Sequence, residues 1–231
     1  MKIVLLPGLD GTGKLFAPLI KELSNTALIE TINYNSKKEL SYKELTEYVL
    51  KKLPSEDFIL VAESFSGYIA YQIALKKPKN LKHIIAVASF LKNPNPIMLN
   101  MIFTKYIFLI PIPTLIIKKL LLGELAKKDI IKLFKKTIKS VSINVLYYRL
   151  QEIKNLKLET NTIKIPTTYI QAQNDKLVKS YSLKIWQKVC IELNIYKIKG
   201  EHFILQSNPK ECGDIITRIV KRYKAIILKR N

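Results

Sequence analysis

The stretch VAESFSGYIA, residues 61–70, decides the fold of this 231-residue chain. An apolar run over residues 58–62 is typical of a buried strand, and a helical pattern begins at Gly67. A short turn containing two serines joins the strand to the helix. A serine on such a sharp turn is presented at the end of its strand, where it can act as a nucleophile.

Two serines compete for the centre of this turn, and the sizes of their neighbours separate them. The turn is tight, so the residues two before and two after a nucleophile must be small. Around Ser64 these residues are Ala62 and Ser66, whereas around Ser66 they are Ser64 and the bulky Tyr68. We therefore predict Ser64 as the nucleophile, with Ser66 where glycine is more usual and Gly67 allowing close helix packing. The alternative is that both serines only cap the helix.

Short β-like runs alternate with helix-like stretches along the rest of the chain. The runs are rich in Ile, Val and Leu without strict alternation, which is typical of strands buried on both faces of a parallel sheet. The order predicts a doubly wound α/β sheet of about six mostly parallel strands. The predicted strands are 2–6, 26–32, 58–62, 83–89, 167–172 and 195–198, and the predicted helices are 14–23, 42–53, 67–76, 181–193 and 208–228.

One long apolar stretch interrupts this alternation. A structureless loop of that length is not expected in a compact domain, so residues 93–162 are predicted to form a helical cap. Residues 1–92 and 163–231 then form the core. Residues 97–117 are apolar and long enough to span a bilayer, but Lys105 and two prolines interrupt them, which argues against spanning. Cap helices facing an apolar pocket are the plainer interpretation, and contact with a membrane surface is the alternative. Five apolar side chains are expected either to line a cleft or to pack the cap itself: Leu99, Phe103, Phe108, Ile112 and Leu115.

A nucleophilic serine needs a base, and the chain has only two histidines. His83 opens a predicted buried strand, so a structural role is expected for it. His202 follows the last strand, in KIKGEHFILQ, on a loop at the carboxyl end of the sheet. Because Ser64 lies at the same end, we predict His202 as the base.

The base in turn needs an orienting acid. Asp175 ends the strand in TTYIQAQND, again at the carboxyl edge of the sheet. The other aspartates lie before a strand, in helical stretches or in the opening loop: Asp57, Asp129, Asp214 and Asp10. Asp175 is therefore the predicted acid, and the chain order becomes Ser64, Asp175, His202.

Over nearly its whole length the chain resembles an α/β-hydrolase, most closely the small bacterial serine esterases. The resemblance is carried by LLPGLDGTG, VAESFSG, QAQND and GEHFILQ, in this order on strand ends. It implies attack of Ser64 on an ester or thioester, an acyl-enzyme and release of the acid by water. In size and in having a helical cap, the chain also resembles the pimeloyl-carrier-protein methyl ester esterases of biotin synthesis.

The opening loop LLPGLDGTGK, residues 5–14, admits two interpretations. Gly8, Gly13 and Lys14 match the spacing of a phosphate-binding loop. Leu15 then stands where a serine or threonine should hold magnesium, which argues against a nucleotide site. The resemblance instead implies that this loop supplies the Leu9 N–H to an oxyanion hole, with the Phe65 N–H as the second donor.

Composition limits the remaining possibilities. The cysteines and histidines have no metal-ligand spacing, so neither a metal nor a cofactor is expected. No secretory signal is evident, and we expect a cytoplasmic location. The net charge of +21 reflects either compositional bias or an acidic partner. No recognition motif supports nucleic acid as that partner.

The predicted cap is strongly basic, with only four acidic residues among many lysines. A basic cap over an acyl pocket favours an acyl-carrier protein as docking partner, and carboxylesterase activity on its acyl ester as the function. The alternatives are a lysophospholipase or acyl thioesterase at an anionic lipid surface, and an inert hydrolase-fold binding protein. A peptidase also remains possible within the fold.

Overall fold

The computed structural model describes the chain except residues 103, 112, 124–125, 158–159 and 229–231, so the predicted roles of Phe103 and Ile112 lie outside the described residues. Six parallel strands form one sheet in the order β2-β1-β3-β4-β5-β6. The prediction of a doubly wound parallel sheet is confirmed. The strands are β1 (Lys2–Leu6), β2 (Leu28–Thr31), β3 (Phe58–Glu63), β4 (Leu81–Val87), β5 (Thr167–Ala172) and β6 (Leu193–Ile198).

Helices cover both faces of the sheet, which explains why the strands are apolar throughout. On β1, Ile3 and Leu5 belong to one core cluster and Val4 and Leu6 to the other. Helices α1 and α10 cover the first face, and α2, α3 and α8 cover the second. These helices are α1 (Ala17–Leu23), α2 (Tyr42–Leu50), α3 (Ser66–Leu75), α8 (Tyr181–Val189) and α10 (Pro209–Leu228).

Several predicted boundaries were wrong by a few residues. The helix predicted over residues 181–193 ends at Val189, because Cys190 adopts an extended backbone and β6 already begins at Leu193. Strand β4 ends at Val87, since Ala88 has a positive φ of 45° that breaks the extended chain. The first predicted helix begins as a 3₁₀ turn, Lys14–Phe16.

Residues 93–162 are helical wherever regular structure is described, and they pack at the carboxyl end of the sheet. Helix α6 contacts the turn Lys14–Phe16 that follows β1, and the π-helical turn Lys118–Leu122 contacts α9 beyond β6. The boundaries of the cap stay a prediction. The elements are α4 (Pro96–Asn100), a 3₁₀ turn (Lys105–Leu109), α5 (Thr114–Ile117), the π turn, α6 (Lys128–Lys139), α7 (Ile143–Lys154) and, after the cap, α9 (Ile204–Ser207).

The three described residues of the expected apolar cleft have different environments. Leu99 is buried in the core, and Phe108 is partly buried against the cluster of Val141, Val145 and Leu146. Leu115 is 68% exposed, so it does not line a cleft in this conformation. Within the part of the chain that the structure describes, no helix has the length and hydropathy needed to cross a membrane.

The strand order reverses between β1 and β3, because the chain turns outward to β2 and then returns to the other side of β1. At such a switch point the loops that leave the two central strands diverge, and a crevice opens at the carboxyl ends. The loop after β1 and the turn after β3 border this crevice. They are the two segments that the sequence marks for chemistry.

Candidate active site

Ser64 occupies a strained turn that its neighbours hold in place. Its φ of 48° is unusual for a residue with a side chain. The Ser64 N–H donates to the Val87 carbonyl at 2.9 Å, and the Ser89 hydroxyl donates to the Ser64 carbonyl at 3.0 Å. A Cβ on Gly67 would lie 1.5 Å from the Ser89 Oγ, so only glycine fits there. This is the close packing predicted for Gly67.

The structure brings the three predicted side chains together. His202 Nε2 lies 2.9 Å from Ser64 Oγ, and His202 Nδ1 lies 2.8 Å from Asp175 Oδ2. The carboxylate can only accept, so Nδ1 carries the proton, and Nε2 is free to accept from the serine hydroxyl. Ser64 lies 138 residues before His202 in the sequence, and Asp175 lies 27 residues before it. They come within hydrogen-bond distance of His202 because all three residues follow carboxyl ends of strands.

Asp175 is fixed by its own turn. Its Oδ1 accepts the N–H groups of Leu177 and Val178, each at 2.9 Å, and this leaves Oδ2 for the histidine. The side chains of Asp175 and His202 are each only 5% exposed. Water therefore screens their interaction weakly.

Charge around His202 stabilises its protonated form. Burial alone would lower the pKa of the imidazole. The Asp175 carboxylate, which attracts and hydrogen-bonds to the ring, and the nearby Glu63 outweigh burial, so the pKa of His202 lies above its ordinary value. An imidazole of raised basicity is suited to take a proton from Ser64.

Glu63, the residue before Ser64, is buried and was not singled out from the sequence. Its Oε1 accepts from Gln206 Nε2 at 2.9 Å, and Gln206 lies on α9, four residues beyond His202. Burial, reinforced by the charge of Asp10, raises the pKa of Glu63 to about 7. A second titratable carboxyl thus lies beside the predicted base.

The predicted oxyanion donors lie on neighbouring segments. Leu9 belongs to the loop after β1, and Phe65 directly follows Ser64. Ser66 joins these segments, because its hydroxyl donates to the Pro7 carbonyl and contacts the hydroxyl of Tyr34. Ser66 is therefore a tie between the turn and the loop, which gives a reason for serine where glycine is more usual.

Arg149 holds the same loop from the other side. Its guanidinium is buried and donates to the carbonyls of Leu9 at 2.8 Å, Asp10 at 2.9 Å and Asn35 at 3.0 Å. It packs so closely on Gly11, which has a φ of 69°, that a Cβ there would lie 2.5 Å from the nitrogen. Nothing in the local sequence distinguishes Arg149 from an exposed arginine, so its role could not be predicted.

The structure places the other candidates away from this constellation. His83 Nε2 lies 2.9 Å from Thr168 Oγ1, and its Nδ1 lies 3.1 Å from the Tyr223 hydroxyl. Lys14 contacts the Ser140 hydroxyl with its Nζ, 3.1 Å away, at the protein surface. No group of three or more His, Cys, Asp or Glu side chains able to hold a metal occurs among the residues that the structure describes.

The fold and the turn after β3 define a hydrolase of the α/β-hydrolase superfamily. The chain belongs to the family described as serine aminopeptidase, S33, whose model matches residues 41–189. The matched range includes Ser64 and Asp175 and ends before His202. No curated protein matches the chain.

Solved structures agree with this fold at low sequence identity. An esterase from Exiguobacterium antarcticum is 11% identical, with a TM-score of 0.80 over 96% of this chain and 92% of that one. A lipase-esterase related protein from Clostridium acetobutylicum ATCC 824 is 19% identical, with a TM-score of 0.73 over 94% and 93%. The enol-lactonase from Burkholderia xenovorans LB400 is 13% identical, with a TM-score of 0.74 over 97% and 91%.

Proposed function

We propose that the protein is a serine hydrolase that cleaves a carboxylic ester or thioester through an acyl-enzyme. The observation that carries this proposal is the chain of hydrogen-bond distances from Ser64 through His202 to Asp175, 2.9 and 2.8 Å. Nucleophile, base and orienting acid are the three parts that acyl transfer needs. The esterase and lactonase activities of structural neighbours support the choice of ester.

The proposed reaction follows from these roles. His202 Nε2 takes the hydroxyl proton of Ser64 as Oγ attacks the acyl carbon, and the resulting oxyanion accepts from the N–H groups of Leu9 and Phe65. The C–O or C–S bond then breaks, and the imidazolium returns the proton to the leaving group. Water then attacks the acyl-enzyme by the same steps, with His202 again as the base, and releases the acid. Asp175 stabilises the charged imidazole in both halves of the reaction.

The finer identity of the acyl substrate is also a proposal. One candidate is an acyl ester, such as a pimeloyl methyl ester, carried by an acidic carrier protein, because the acidic protein would pair with the lysines of residues 93–162. A lysophospholipid or thioester at an anionic lipid surface fits the same lysines. Amide cleavage is the second candidate reaction, because the matched family is described as a serine aminopeptidase.

Covalent labelling tests the proposal directly. A fluorophosphonate probe followed by peptide mass spectrometry is expected to modify Ser64, and to modify neither Ser64→Ala nor, at an appreciable rate, His202→Ala. Ser66→Ala is the matched control and is expected to keep the label on Ser64. Label on Ser66, or no label on a folded sample, contradicts the proposal; the second result favours an inert binding protein.

Substrate class is tested on the same samples. p-Nitrophenyl esters of increasing acyl length and aminoacyl p-nitroanilides are compared at equal concentration. Faster turnover of the esters supports the ester hydrolase, and a preference for the anilides shifts the assignment to the aminopeptidase.

A further inference from the structure

Exposed apolar side chains are concentrated in one short part of the chain. Of the twelve large hydrophobic residues that are exposed in the described chain, eight lie between residues 97 and 116, which we name the apolar segment. Such side chains are normally scattered singly, and clustering marks a binding surface. The eight are Ile97, Met101, Tyr106, Ile107, Leu109, Ile110, Leu115 and Ile116.

Helix α6 lies beside the apolar segment and carries a one-sided stripe of lysines. Its inner side is buried through Ile131 and Phe134, and Asp129 is the one acidic residue on it. Lys135 donates to the Thr114 hydroxyl at 2.9 Å, which places the stripe against α5. The lysine stripe consists of Lys128, Lys132, Lys135, Lys136 and Lys139.

The charge of this region is unbalanced well beyond the helix. Between residues 97 and 139 the sequence has nine lysines and only two acidic residues, Glu124 and Asp129. Within the segment itself, Lys105 lies over the ring of the exposed Tyr106, 5.8 Å from its centroid, and also donates to Asn144. Apolar and cationic side chains are thus interleaved on one surface.

This surface forms the outer side of a layer whose inner side touches the candidate active site. Phe108, within the apolar segment, is only partly exposed and packs on the same buried cluster, Val141, Val145 and Leu146, as Leu9, the proposed oxyanion donor. Phe134 of α6 contacts the ring of Phe203, the residue after His202, with centroids 5.2 Å apart. A partner bound to the outer side is therefore close to the proposed chemistry.

We infer that the apolar segment and the lysine stripe together form a docking surface for an anionic lipid bilayer. A bilayer surface offers both parts of the complement, since apolar side chains insert at the headgroup level while lysines approach lipid phosphates. An acidic protein would pair with the lysines without requiring eight exposed apolar side chains. A second copy of this chain would bring two lysine stripes into contact, which charge repulsion opposes.

The inference deepens the proposed function by naming the membrane surface as the place where the enzyme would find its acyl ester. Only this connection between docking and substrate rests on the proposed function. Docking needs no catalysis, so the two claims fail separately. Ser64→Ala protein is used to measure docking, and probe labelling of the wild type reports the catalytic proposal.

The test is co-sedimentation of the full chain with vesicles of two compositions. One is phosphatidylcholine alone, and in the other about one third of the lipid is phosphatidylglycerol. We expect binding to the anionic vesicles to be at least about tenfold tighter, and to weaken as salt is raised, because each lysine near an anionic surface adds an attraction that salt screens.

Two pairs of substitutions separate the apolar and cationic parts. Leu109→Asn with Ile110→Asn removes apolar contact at constant net charge and is expected to weaken binding at least about tenfold, and Leu109→Asp with Ile110→Asp is expected to weaken it further. Lys132→Glu with Lys136→Glu is expected to weaken it at least about thirtyfold. The matched controls are Leu28→Asp, which is 73% exposed at the amino end of β2, and Lys184→Glu with Lys188→Glu, which share the same spacing on α8. Controls are expected to bind within about twofold of the parent.

Several results would overturn the inference. These are equal binding to both vesicles, no binding to either, full binding by the Leu109/Ile110 variant, or equal losses in the controls. Binding of an acidic acyl-carrier protein without binding of vesicles would assign the surface to a protein partner. Concentration-dependent dimers in sedimentation velocity, abolished by Leu109→Asp with Ile110→Asp, would assign it to self-association.

Discussion

The two histidines of this chain are both buried, and each forms hydrogen bonds through both ring nitrogens. They lie at opposite ends of the sheet, and their pKa values are shifted in opposite directions from the ordinary value. His83 lies near the amino end of β4 between hydroxyl groups, and burial lowers its pKa to about 4. His202 lies beyond the carboxyl end of β6 against a carboxylate, which raises its pKa despite burial. Burial and hydrogen bonding alone do not make a histidine reactive. A carboxylate partner and a position beside Ser64, the proposed nucleophile, distinguish His202 from His83.

The largest expected effect is the difference in activity between alanine variants of the two histidines. His202→Ala is expected to reduce kcat/KM for a p-nitrophenyl ester by about 10⁴-fold or more, because Ser64 loses its base. His83→Ala is expected to stay within about threefold of the wild type, since His83 contacts none of the proposed catalytic groups. Comparable losses in two folded variants would contradict the distinction drawn here.

The orienting carboxylate is the next feature to remove. Asp175→Asn is expected to lower kcat by about 10³- to 10⁴-fold, because an amide that donates to Nδ1 favours the wrong tautomer of His202. Asp57→Asn is the matched control, as Asp57 pairs with Lys82 at 3.0 Å at the amino end of the sheet. Steady-state kinetics on both variants make the comparison, and a mild effect of Asp175→Asn would argue against its role.

Stability against pH tests the other histidine. The pKa of His83 is about 4 in the folded protein and about 6.5 when unfolded, so the unfolded state binds the proton more readily. The stabilisation from neutral His83 is complete above pH 6.5 and declines as the pH falls towards 4, by at most about 3 kcal/mol. His202 has the opposite sign, because its raised pKa favours folding at low pH.

Urea unfolding between pH 4 and 7 measures this difference. His83→Gln is expected to flatten the loss of stability below pH 6.5, since its amide does not titrate. An unchanged slope would mean that His83 is not held in its neutral form.

The smallest expected effect is a shift in the pH dependence of kcat/KM, which tests the charges around His202. Activity requires neutral His202, so the acid limb of the kcat/KM profile is expected above the ordinary histidine pKa. Glu63, with a pKa of about 7, is partly ionised where His202 titrates, and Glu63→Gln removes that partial charge while keeping the side-chain shape, so the limb is expected to move slightly to lower pH. A shift to higher pH, or none, would contradict an ionised Glu63 beside the base.

Much of the candidate site could be predicted from the sequence, because each of its three predicted catalytic residues follows the end of a strand. Strand ends of a parallel sheet meet at one edge, so Ser64, Asp175 and His202 could be placed together from their positions after strands. The strand boundaries were less accurate, since a single backbone angle at Ala88 or Cys190 ends an element without a compositional signal. The catalytic roles of these residues stay predictions until the labelling is done.

Contacts between distant residues could not be predicted. Glu63 and Gln206 are 143 residues apart, and their bond depends on how α9 folds back over the turn after β3. Because lysines occur along the whole chain, the one-sided stripe on α6 could not be distinguished until its neighbours and the exposed apolar side chains were known. Pairing of this kind is a property of tertiary packing, which no local pattern encodes.

The buried guanidinium of Arg149 has a consequence for how such a protein can diversify. Segments that shape a substrate pocket are often regarded as exchangeable cassettes on a constant core. Here helix α7 reaches into the loop after β1 and fixes three carbonyls, two of them in the loop that carries the proposed oxyanion donor Leu9. A transplanted segment would have to bring its own arginine at the same place. Under the proposed function, the segment and the loop with the oxyanion donor would therefore change together, and new substrates would be reached more readily by substituting side chains of the segment than by replacing it.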